Sequence, residues 1–349
     1  MIAKKILYWY DNNKRSLPWR KKCSSKQKEY FTFVSEFMLQ QTQVTTVIPY
    51  FNNFIKNIPN FESLAKVNET KLLKYWQGLG YYSRAKNLKK SARLIIDQHN
   101  GRLPNSYDKL IKLPGVGDYT ASAISAIAFN QQIIPLDGNI ERLLKRILNL
   151  KTEKEIKKEN LHKEKKVFGQ TSRSNDYIQA LMEIGALLCK PKNPNCEKCP
   201  ITKYCLSFKR QDFEIKKKNK KIIDKFYLAT LYKNNNQLLL IKNEKFNFLK
   251  NLLIFPMKEI TLSDSLLRSN KKLSVKMSNM NMNISIDFLN TKNKTKEGLW
   301  IEKSKLENYI IPTFTKKIFQ SAKHIYEKNS NHRSWDFRFI YCQLIQRKS

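Results

Sequence analysis

Four of the six cysteines stand close together, in the order Cys189, Cys196, Cys199 and Cys205. In a reducing compartment, cysteines crowded in this way bind metal far more often than they form disulfides. Zinc ribbons usually pair two Cys-x2-4-Cys knuckles, and this stretch holds one such pair, Cys196 with Cys199. Four thiolates in one compact loop also suit a [4Fe–4S] cluster, although ferredoxin spacings differ. The spacing favours iron–sulfur over zinc and leaves both open.

A glycine-rich turn lies between two helical patterns within residues 113–137. Pro114 and two glycines surround Val116, so the backbone can turn sharply and direct N–H groups outward. Amides grouped at a helix N-terminus suit an anion such as a DNA phosphate. Asp137 precedes apolar residues at i, i+3, i+4, i+7 and i+8, which predicts an amphipathic helix capped by Asp137. A plain glycine turn with an N-capping Asp explains this stretch equally well.

The composition indicates a folded, basic protein. Hydrophobic residues make up 41% of the 349 residues, and 66 Lys and Arg against 29 Asp and Glu give a formal charge of +37. This charge favours a polyanionic partner, either nucleic acid or an anionic membrane. No apolar run approaches membrane-spanning length, and the N-terminal stretch has no signal-peptide pattern, so we expect a cytoplasmic protein.

Up to Cys205, the candidate functional residues must be positioned by helices, because no convincing strand pattern appears in this part of the sequence. The charged segment 151–166 reads as solvated, with little to bury. Helical patterns cover a region around 44–55, which Pro49 must kink, and then residues 61–77 and 83–98, a small-residue stretch within 121–128, the apolar pattern of 140–148 after Asp137, and residues 174–188.

The pattern changes after Cys205. A charged connector, 209–221, precedes two strand patterns, FYLATLY and QLLLIK, around a turn at 234–236. Met280–Ile286 alternates like a strand, and 303–325 returns to helix. These patterns fit a small α+β domain. The basic tail after Ser321 is either an extra helix or a disordered arm.

Six features together carry a family resemblance. They are LPWR (17–20), VSEFMLQQTQVTTVIPYF (34–51), QGLGYYSRAKNL (77–88), LPGVGDYTA (113–121), LDGNIERLL (136–144) and the cysteine set. The chain resembles the endonuclease III superfamily of helix–hairpin–helix DNA glycosylases, and within it the MutY-type adenine glycosylases. The resemblance is dense from Leu17 to Cys205 and looser beyond.

The resemblance implies a mainly α fold in two lobes with the DNA cleft between them. The implied glycosylase domain covers 1–208 and carries a [4Fe–4S] cluster in its loop 189–205. A charged linker, 209–221, then joins a small α+β, Nudix-like domain at 222–349 that reads the lesion and ends in the basic tail.

The implied chemistry needs an acid and a carboxylate, because breaking an N-glycosidic bond leaves an oxocarbenium-like sugar and a poor leaving group. Glu36 matches the family's general acid, which protonates adenine N7. Its neighbours Phe37, Met38 and Leu39 offer a water-poor setting that raises the pKa of a glutamate. Asp137 matches the second carboxylate, and a helix N-terminus favours its ionised form.

Tyr119 separates two branches of the superfamily. The glycosylase–lyases carry a Schiff-base lysine at this place, and a phenol cannot form that adduct. The resemblance therefore implies a monofunctional glycosylase with Tyr119 hydrogen-bonded near Asp137. Asn139 is expected to help position the catalytic carboxylates.

Four further residues are implied to contact the opened duplex, since the adenine must leave the stack to be cut. Gln41 and Tyr81 match residues that wedge into the duplex near the opposite base. Thr42 and Arg20 are expected near the lesion or the flipped strand. Tyr81 packed as an ordinary aromatic is the plainer alternative.

The phosphate backbone is expected to meet the hairpin and the cysteine loop. The amides of Val116 and Gly117 should hold a phosphate beside the flipped nucleotide. Lys190, Lys192 and Lys198 should add sequence-independent affinity that weakens with salt.

The C-terminal domain matches the family less closely. FLKNLLIFP (248–256) lacks a Gly and a Trp of the family segment, and the Nudix hydrolase box is absent. The family's Phe-Ser-His recognition loop corresponds to Met277, Ser278 and Asn279. The Ser278 hydroxyl can report the N7 proton of 8-oxoguanine.

We therefore expect a monomeric, nucleoid-associated bacterial enzyme that hydrolyses adenine from double-stranded DNA where it is mispaired with 8-oxoguanine or guanine. Two alternatives stay open. One is an endonuclease III-like pyrimidine glycosylase and lyase. The other is a non-catalytic iron–sulfur module that binds DNA.

Overall fold

The structure, a computed structural model, describes residues 2–152, 155, 158–214, 222–267, 272–277, 279–295 and 297–328, without the side chains of 158 and 323–328. The chain forms two compact units. Met1–Glu69 and Ser83–Lys218 make the first, and Thr70–Tyr82 and Asn219–Ser349 make the second. The domain limits at 208 and 222 stay a prediction. Ser278 and most of the tail after Ser321 lie outside the described residues.

Helices dominate the chain as far as Lys209. They are α1 (Ile2–Asn13), α2 (Ser25–Leu39), α3 (Val44–Asn57), α4 (Phe61–Lys66), α5 (Glu69–Trp76), α6 (Ser83–His99), α7 (Tyr107–Leu110), α8 (Asp118–Phe129), α9 (Gly138–Ile147), α10 (Lys158–Glu164), α11 (Ser174–Leu187) and α12 (Leu206–Lys209). Short 3-10 turns occupy Pro18–Arg20, Lys165–Phe168 and Thr202–Tyr204. No helix in the described ranges has both the length and the apolar character of a membrane span.

Helix α8 lies at the centre of the first unit. Both α2 and α11 pack on α8, and α11 also packs on α1 and α9. This close packing is possible because α8 presents small side chains, and Ala121, Ala123, Ser125 and Ala126 are fully buried. The helices α2, α8 and α9, which carry the candidate catalytic residues, therefore belong to one packed core.

Two sequence expectations for this unit were wrong in detail. The helix predicted over 61–77 is two helices, α4 and α5, which break at Val67 and Asn68. A β-branched residue followed by Asn, whose side chain competes for backbone hydrogen bonds, disfavours a continuous helix there. Segment 151–166 is not wholly solvated, because Leu161 in α10 is fully buried.

The second unit contains a mixed sheet. Its elements are β1 (Ile223–Asn234), β2 (Gln237–Lys242), β3 (Leu253–Ile254), β4 (Met257–Ile260), α13 (Leu262–Leu267), β5 (Lys272–Met277), β6 (Met280–Asn290), β7 (Leu299–Glu302), a 3-10 turn at Lys303–Asn308 and α14 (Thr313–Lys328). The strand order is β3-β2-β1-β6-β5, with β4 on β1 and β7 on β2. Only the β1–β6 pair is parallel among the described strands. The predicted helical domain followed by a small α+β domain is confirmed.

Helix α14 covers one face of this sheet by packing on β5 and β6. Residues 70–82 also belong to the second unit, although they lie far before its other residues in the sequence. There the side-chain amide of Gln77 donates to the carbonyl of Ile311, at 2.9 Å.

Candidate active site

Glu36 lies in the last turns of α2, a helix buried around most of its circumference. Phe33 and Phe37 are fully buried beside it, and Glu36 itself is 5% exposed. Burial raises the pKa of Glu36 to about 7, although a hydrogen bond from Tyr119 and the charge of Arg20 act in the opposite direction. Its Oε2 has no hydrogen-bond partner within the described part of the chain. Near neutral pH, this carboxyl can therefore still carry a proton.

Asp137 has the opposite surroundings because it caps α9. Its Oδ1 accepts the backbone N–H groups of Asn139 at 3.0 Å and Ile140 at 2.7 Å. Its Oδ2 accepts the side-chain amide of Asn139 at 2.9 Å. Three donors at the positive end of a helix therefore hold the Asp137 side chain in place at the start of α9.

One cavity of about 1020 Å³ in the first unit joins these groups. This volume is at the upper end for small-molecule pockets and suits a nucleotide with part of its backbone. The residues predicted from the sequence that line it are Arg20, Glu36, Thr42, Tyr119, Asp137 and Asn139. The Tyr119 hydroxyl is hydrogen-bonded to Glu36, and burial raises its pKa well above the usual phenol value.

The sequence did not point to Glu183, which lies on the wall of the same cavity. Its side chain is fully buried and binds two arginines. Its Oε2 accepts Nε of Arg15 at 2.7 Å, and its Oε1 accepts an Nη of Arg20 at 2.8 Å. A signal was available, because Glu183 is the one charged residue between Tyr177 and Cys189. A lone charge in an apolar helix is usually buried and paired.

The turn after α2 is fixed by a buried arginine. Arg84 donates to the carbonyls of Met38 at 2.8 Å and Gln40 at 2.6 Å, and to the Thr42 hydroxyl at 3.2 Å. These contacts hold Gln41 in the left-handed region, with φ of 56°. A non-glycine residue held there stores strain that often marks a functional position.

Tyr81 has a similar conformation in the second unit. Its φ is 45° and its side chain is 48% exposed. The loop that presents it is fastened by the Trp76 indole N–H, which donates to the Gly80 carbonyl at 3.1 Å. An exposed aromatic on a fixed, strained loop is suited to inserting into a partner.

The hairpin turn requires a correction to the predicted phosphate contact. A Cβ at Gly115, whose φ is +80°, would lie 2.8 Å from Cβ of Asn87, so no other residue fits. The Val116 N–H donates to the Leu113 carbonyl at 3.0 Å. That amide is therefore used inside the turn and is not directed at a phosphate. Gly117 is the exposed N-cap of α8.

The four clustered cysteines form no disulfide with any cysteine that the structure describes. No three His, Cys, Asp or Glu side chains that the structure describes stand close enough to share one ion. The thiols instead surround a small cavity of about 20 Å³, whose lining includes Cys189, Cys196, Cys199 and Cys205. Four cysteine thiolates are the usual ligand set of an iron–sulfur cluster.

Two arginines of α9 fasten this loop. Arg146 donates to Sγ of Cys189 at 3.3 Å and to the Lys190 carbonyl at 2.7 Å. Arg142 donates to the Cys189 carbonyl at 2.7 Å and to the Asn139 side-chain oxygen at 2.9 Å. Because Asn139 also bonds Asp137, α9 links the cysteine loop to the candidate catalytic carboxylate.

Comparison with known proteins places the chain in a family. Residues 34–167 match the family described as HhH-GPD superfamily base excision DNA repair protein. An adenine DNA glycosylase of Buchnera aphidicola subsp. Schizaphis graminum is 32% identical over 348 residues, which cover 93% of this chain and 99% of that protein. The chain belongs to the adenine DNA glycosylase family. A second adenine DNA glycosylase, from Buchnera aphidicola subsp. Baizongia pistaciae, is 41% identical over 72% of each chain.

A solved structure supports the fold of this adenine DNA glycosylase family member. A thermostable thymine-DNA glycosylase matches with a TM-score of 0.53 and 25% identity, covering 60% of this chain and 95% of that one. The predicted family is confirmed, and with it the class of DNA N-glycosylase hydrolases that act in base excision repair.

Proposed function

We propose that this glycosylase hydrolyses adenine mispaired with 8-oxoguanine or guanine in double-stranded DNA, with Glu36 as general acid and Asp137 as stabiliser of the sugar cation. The observation that carries the proposal is the pairing of two carboxyls on one cavity in opposite surroundings. One is buried and retains its proton near pH 7, and the other accepts three hydrogen bonds that favour its charge.

The reaction follows from those two states. Glu36 gives its proton to adenine N7 while the bond from N9 to C1′ breaks and its electron pair leaves with the base. The cationic sugar that remains is stabilised by the ionised Asp137. A water then bonds to C1′ and gives a proton to the Glu36 carboxylate, which restores the acid. Asn139 holds Asp137 in place for this step.

Tyr119 supports a monofunctional enzyme. It stands on the same cavity, hydrogen-bonded to Glu36, where a glycosylase–lyase would need an amine. A phenol with a pKa raised by burial stays protonated and forms no Schiff base with the sugar. Hydrolysis without strand cleavage is therefore the expected outcome.

We also propose that Cys189, Cys196, Cys199 and Cys205 hold a [4Fe–4S] cluster. Their common cavity and the Arg146 contact to Cys189 support this assignment. When bound, the cluster would cross-link the loop and so order its exposed lysines for contact with DNA.

We further propose that the partner is nucleoid DNA, which a monomer binds. Gln41 and Tyr81 would wedge into the opened duplex, Arg20 and Thr42 would face the flipped strand, and Gly117 would meet a phosphate. Ser278 would read the lesion.

A strand-cleavage assay on a labelled duplex with one 8-oxoguanine–adenine pair tests the function. We expect cleavage at the adenine only after alkali, and no covalent adduct with borohydride. Cleavage without alkali together with an adduct would indicate the lyase alternative. If the protein binds the duplex but no strand cleavage appears even after alkali, the non-catalytic module is indicated.

A further inference from the structure

The buried carboxylate of Glu183 has no task in the proposed reaction. It lies in α11 with no exposed surface, and one of its oxygens pairs with Arg15 while the other pairs with Arg20. Burying a charge is costly unless it is paired with good geometry, and here both oxygens are paired. Such a group on the wall of the cavity that holds Glu36 calls for a functional explanation.

Arg20 lies on a cavity that it shares with two glutamates. Arg20, Glu183 and Glu36 line the same cavity, and the charge of Arg20 already acts on Glu36. The Arg20 side chain is 16% exposed and lies 5.9 Å from the Tyr10 ring centroid, so it cannot easily leave the cavity. Arg15 is 33% exposed and can turn towards solvent. In the structure, the Arg20 guanidinium pairs with Glu183.

We propose that Glu183 is a positioning residue that holds Arg20 on the cavity wall and away from Glu36. This inference rests on the proposed role of Glu36 as general acid. The other groups that act on Glu36 are Tyr119 and Asp137, and neither is a cation. A guanidinium released from Glu183 would pair with Glu36, stabilise its carboxylate and remove the proton that the reaction needs.

The test is the pH dependence of adenine release in a single turnover, measured with full-length protein on the 8-oxoguanine–adenine duplex. Glu183→Gln keeps the shape of the side chain and removes its charge. We expect near wild-type rates at pH 5, where Glu36 is protonated in either protein. The alkaline limb is the fall in rate with rising pH as Glu36 loses its proton. A shift of this limb by one pH unit to lower pH should make the rate of the variant at pH 7.5 about tenfold lower than that of the wild type.

A second variant shows whether Arg20 carries the effect. In Glu183→Gln combined with Arg20→Gln, no guanidinium at position 20 can reach Glu36, so the alkaline limb should return at least to its wild-type position, or move above it, because Arg20 lowers the pKa of Glu36 in the wild type. The matched control is Glu29→Gln, which removes the charge of another buried glutamate, one that pairs with the half-exposed Arg102 away from this cavity. Its melting temperature should fall while its alkaline limb stays in place.

A uniform loss of rate at every pH in Glu183→Gln, with the limb unmoved, would overturn the inference. If that variant melts below the assay temperature, the pH series is repeated below its melting temperature, and an unmoved limb there would overturn the inference equally. Glu36→Gln separates the two levels of the argument. If Glu36→Gln keeps the wild-type pH profile of adenine release, the proposed function fails. If Glu36→Gln loses the alkaline limb but Glu183→Gln leaves it in place, only the role of Glu183 is rejected.

Discussion

Glu36 and Asp137 are both ordinary carboxyls whose surroundings differ. Burial among apolar side chains raises the pKa of Glu36 to about 7, whereas Asp137 accepts hydrogen bonds from the amides at the start of α9. The sequence shows the second effect directly, since an Asp before an amphipathic helix is a readable cap. It does not show the first, because a glutamate in a helix is usually solvated and only the surrounding motif marks Glu36 as different.

Tyr119→Phe should move the alkaline limb of adenine release upwards in pH. The Tyr119 hydroxyl lowers the pKa of Glu36 by bonding its carboxylate, so removing it raises that pKa further above 7. Glu36 then stays protonated at higher pH, and the rate at pH 8 should be better preserved than in the wild type. The measurement is the single-turnover rate from pH 5 to 9.

The control for this change is Tyr177→Phe, which removes a buried hydroxyl that donates to the Phe168 carbonyl at 2.6 Å. Its limb should coincide with that of the wild type. A limb that moves downwards in Tyr119→Phe would contradict the assigned hydrogen bond.

At the scale of elements, α9 is positioned by close contact with α11. A Cβ at Gly185 would lie 2.6 Å from Cβ of Asn139 and 3.1 Å from its backbone. Gly185→Ala should therefore destabilise the protein by about 1–3 kcal/mol, because the neighbour is backbone as well as side chain. The melting temperature and adenine release should both fall, since Asn139 holds Asp137.

Gly138→Ala is the matched control, because nothing lies within 4 Å of a Cβ at that position. Its melting temperature should stay close to that of the wild type. Equal loss in both variants would contradict the role of the contact with Asn139, because Ala has a higher helix propensity than Gly and should not destabilise either position by itself.

Helices with strong apolar periodicity, such as α9, could be predicted from the sequence because their pattern is local. The break between α4 and α5 was missed although Val67 and Asn68 mark it locally, and the burial of Leu161 was missed because it depends on packing partners outside its own segment. The contacts of Arg142 and Arg146 with the cysteine loop were missed for the same reason. Their partners are mainly backbone carbonyls, which leave no trace in the residue types.

At the scale of the whole molecule, the charge of +37 predicts strong salt dependence of DNA binding. The exposed lysines of the cysteine loop should account for part of it. Replacing all three by Ala should make the plot of log affinity against log salt less steep by roughly 2–3 units, at about 0.9 per lost phosphate contact. The three residues are Lys190, Lys192 and Lys198.

The control is a triple Ala variant of exposed lysines on other helices of the first unit, namely Lys56, Lys66 and Lys90. This control loses the same net charge. If its plot of log affinity against log salt flattens more than that of the cysteine-loop variant, the cysteine loop is not the main phosphate contact.

The grouping of 70–82 with the C-terminal unit could not be predicted from the sequence. It depends on contacts such as that of Gln77 with Ile311, which are 234 positions apart. Local patterns contain no information on such pairs, whereas the change from helical to strand periodicity after Cys205 is local and was predicted.

The central claim is that Glu36 works as a protonated acid in a cavity it shares with the charged Asp137. The most direct measurement is the single-turnover rate of adenine release against pH, for the wild type and Glu36→Gln, on one 8-oxoguanine–adenine duplex. The account predicts that the wild-type rate falls tenfold per pH unit above about 7 and that Glu36→Gln binds the duplex but releases adenine too slowly to show this limb. A Glu36→Gln variant with the wild-type rate and profile would contradict it.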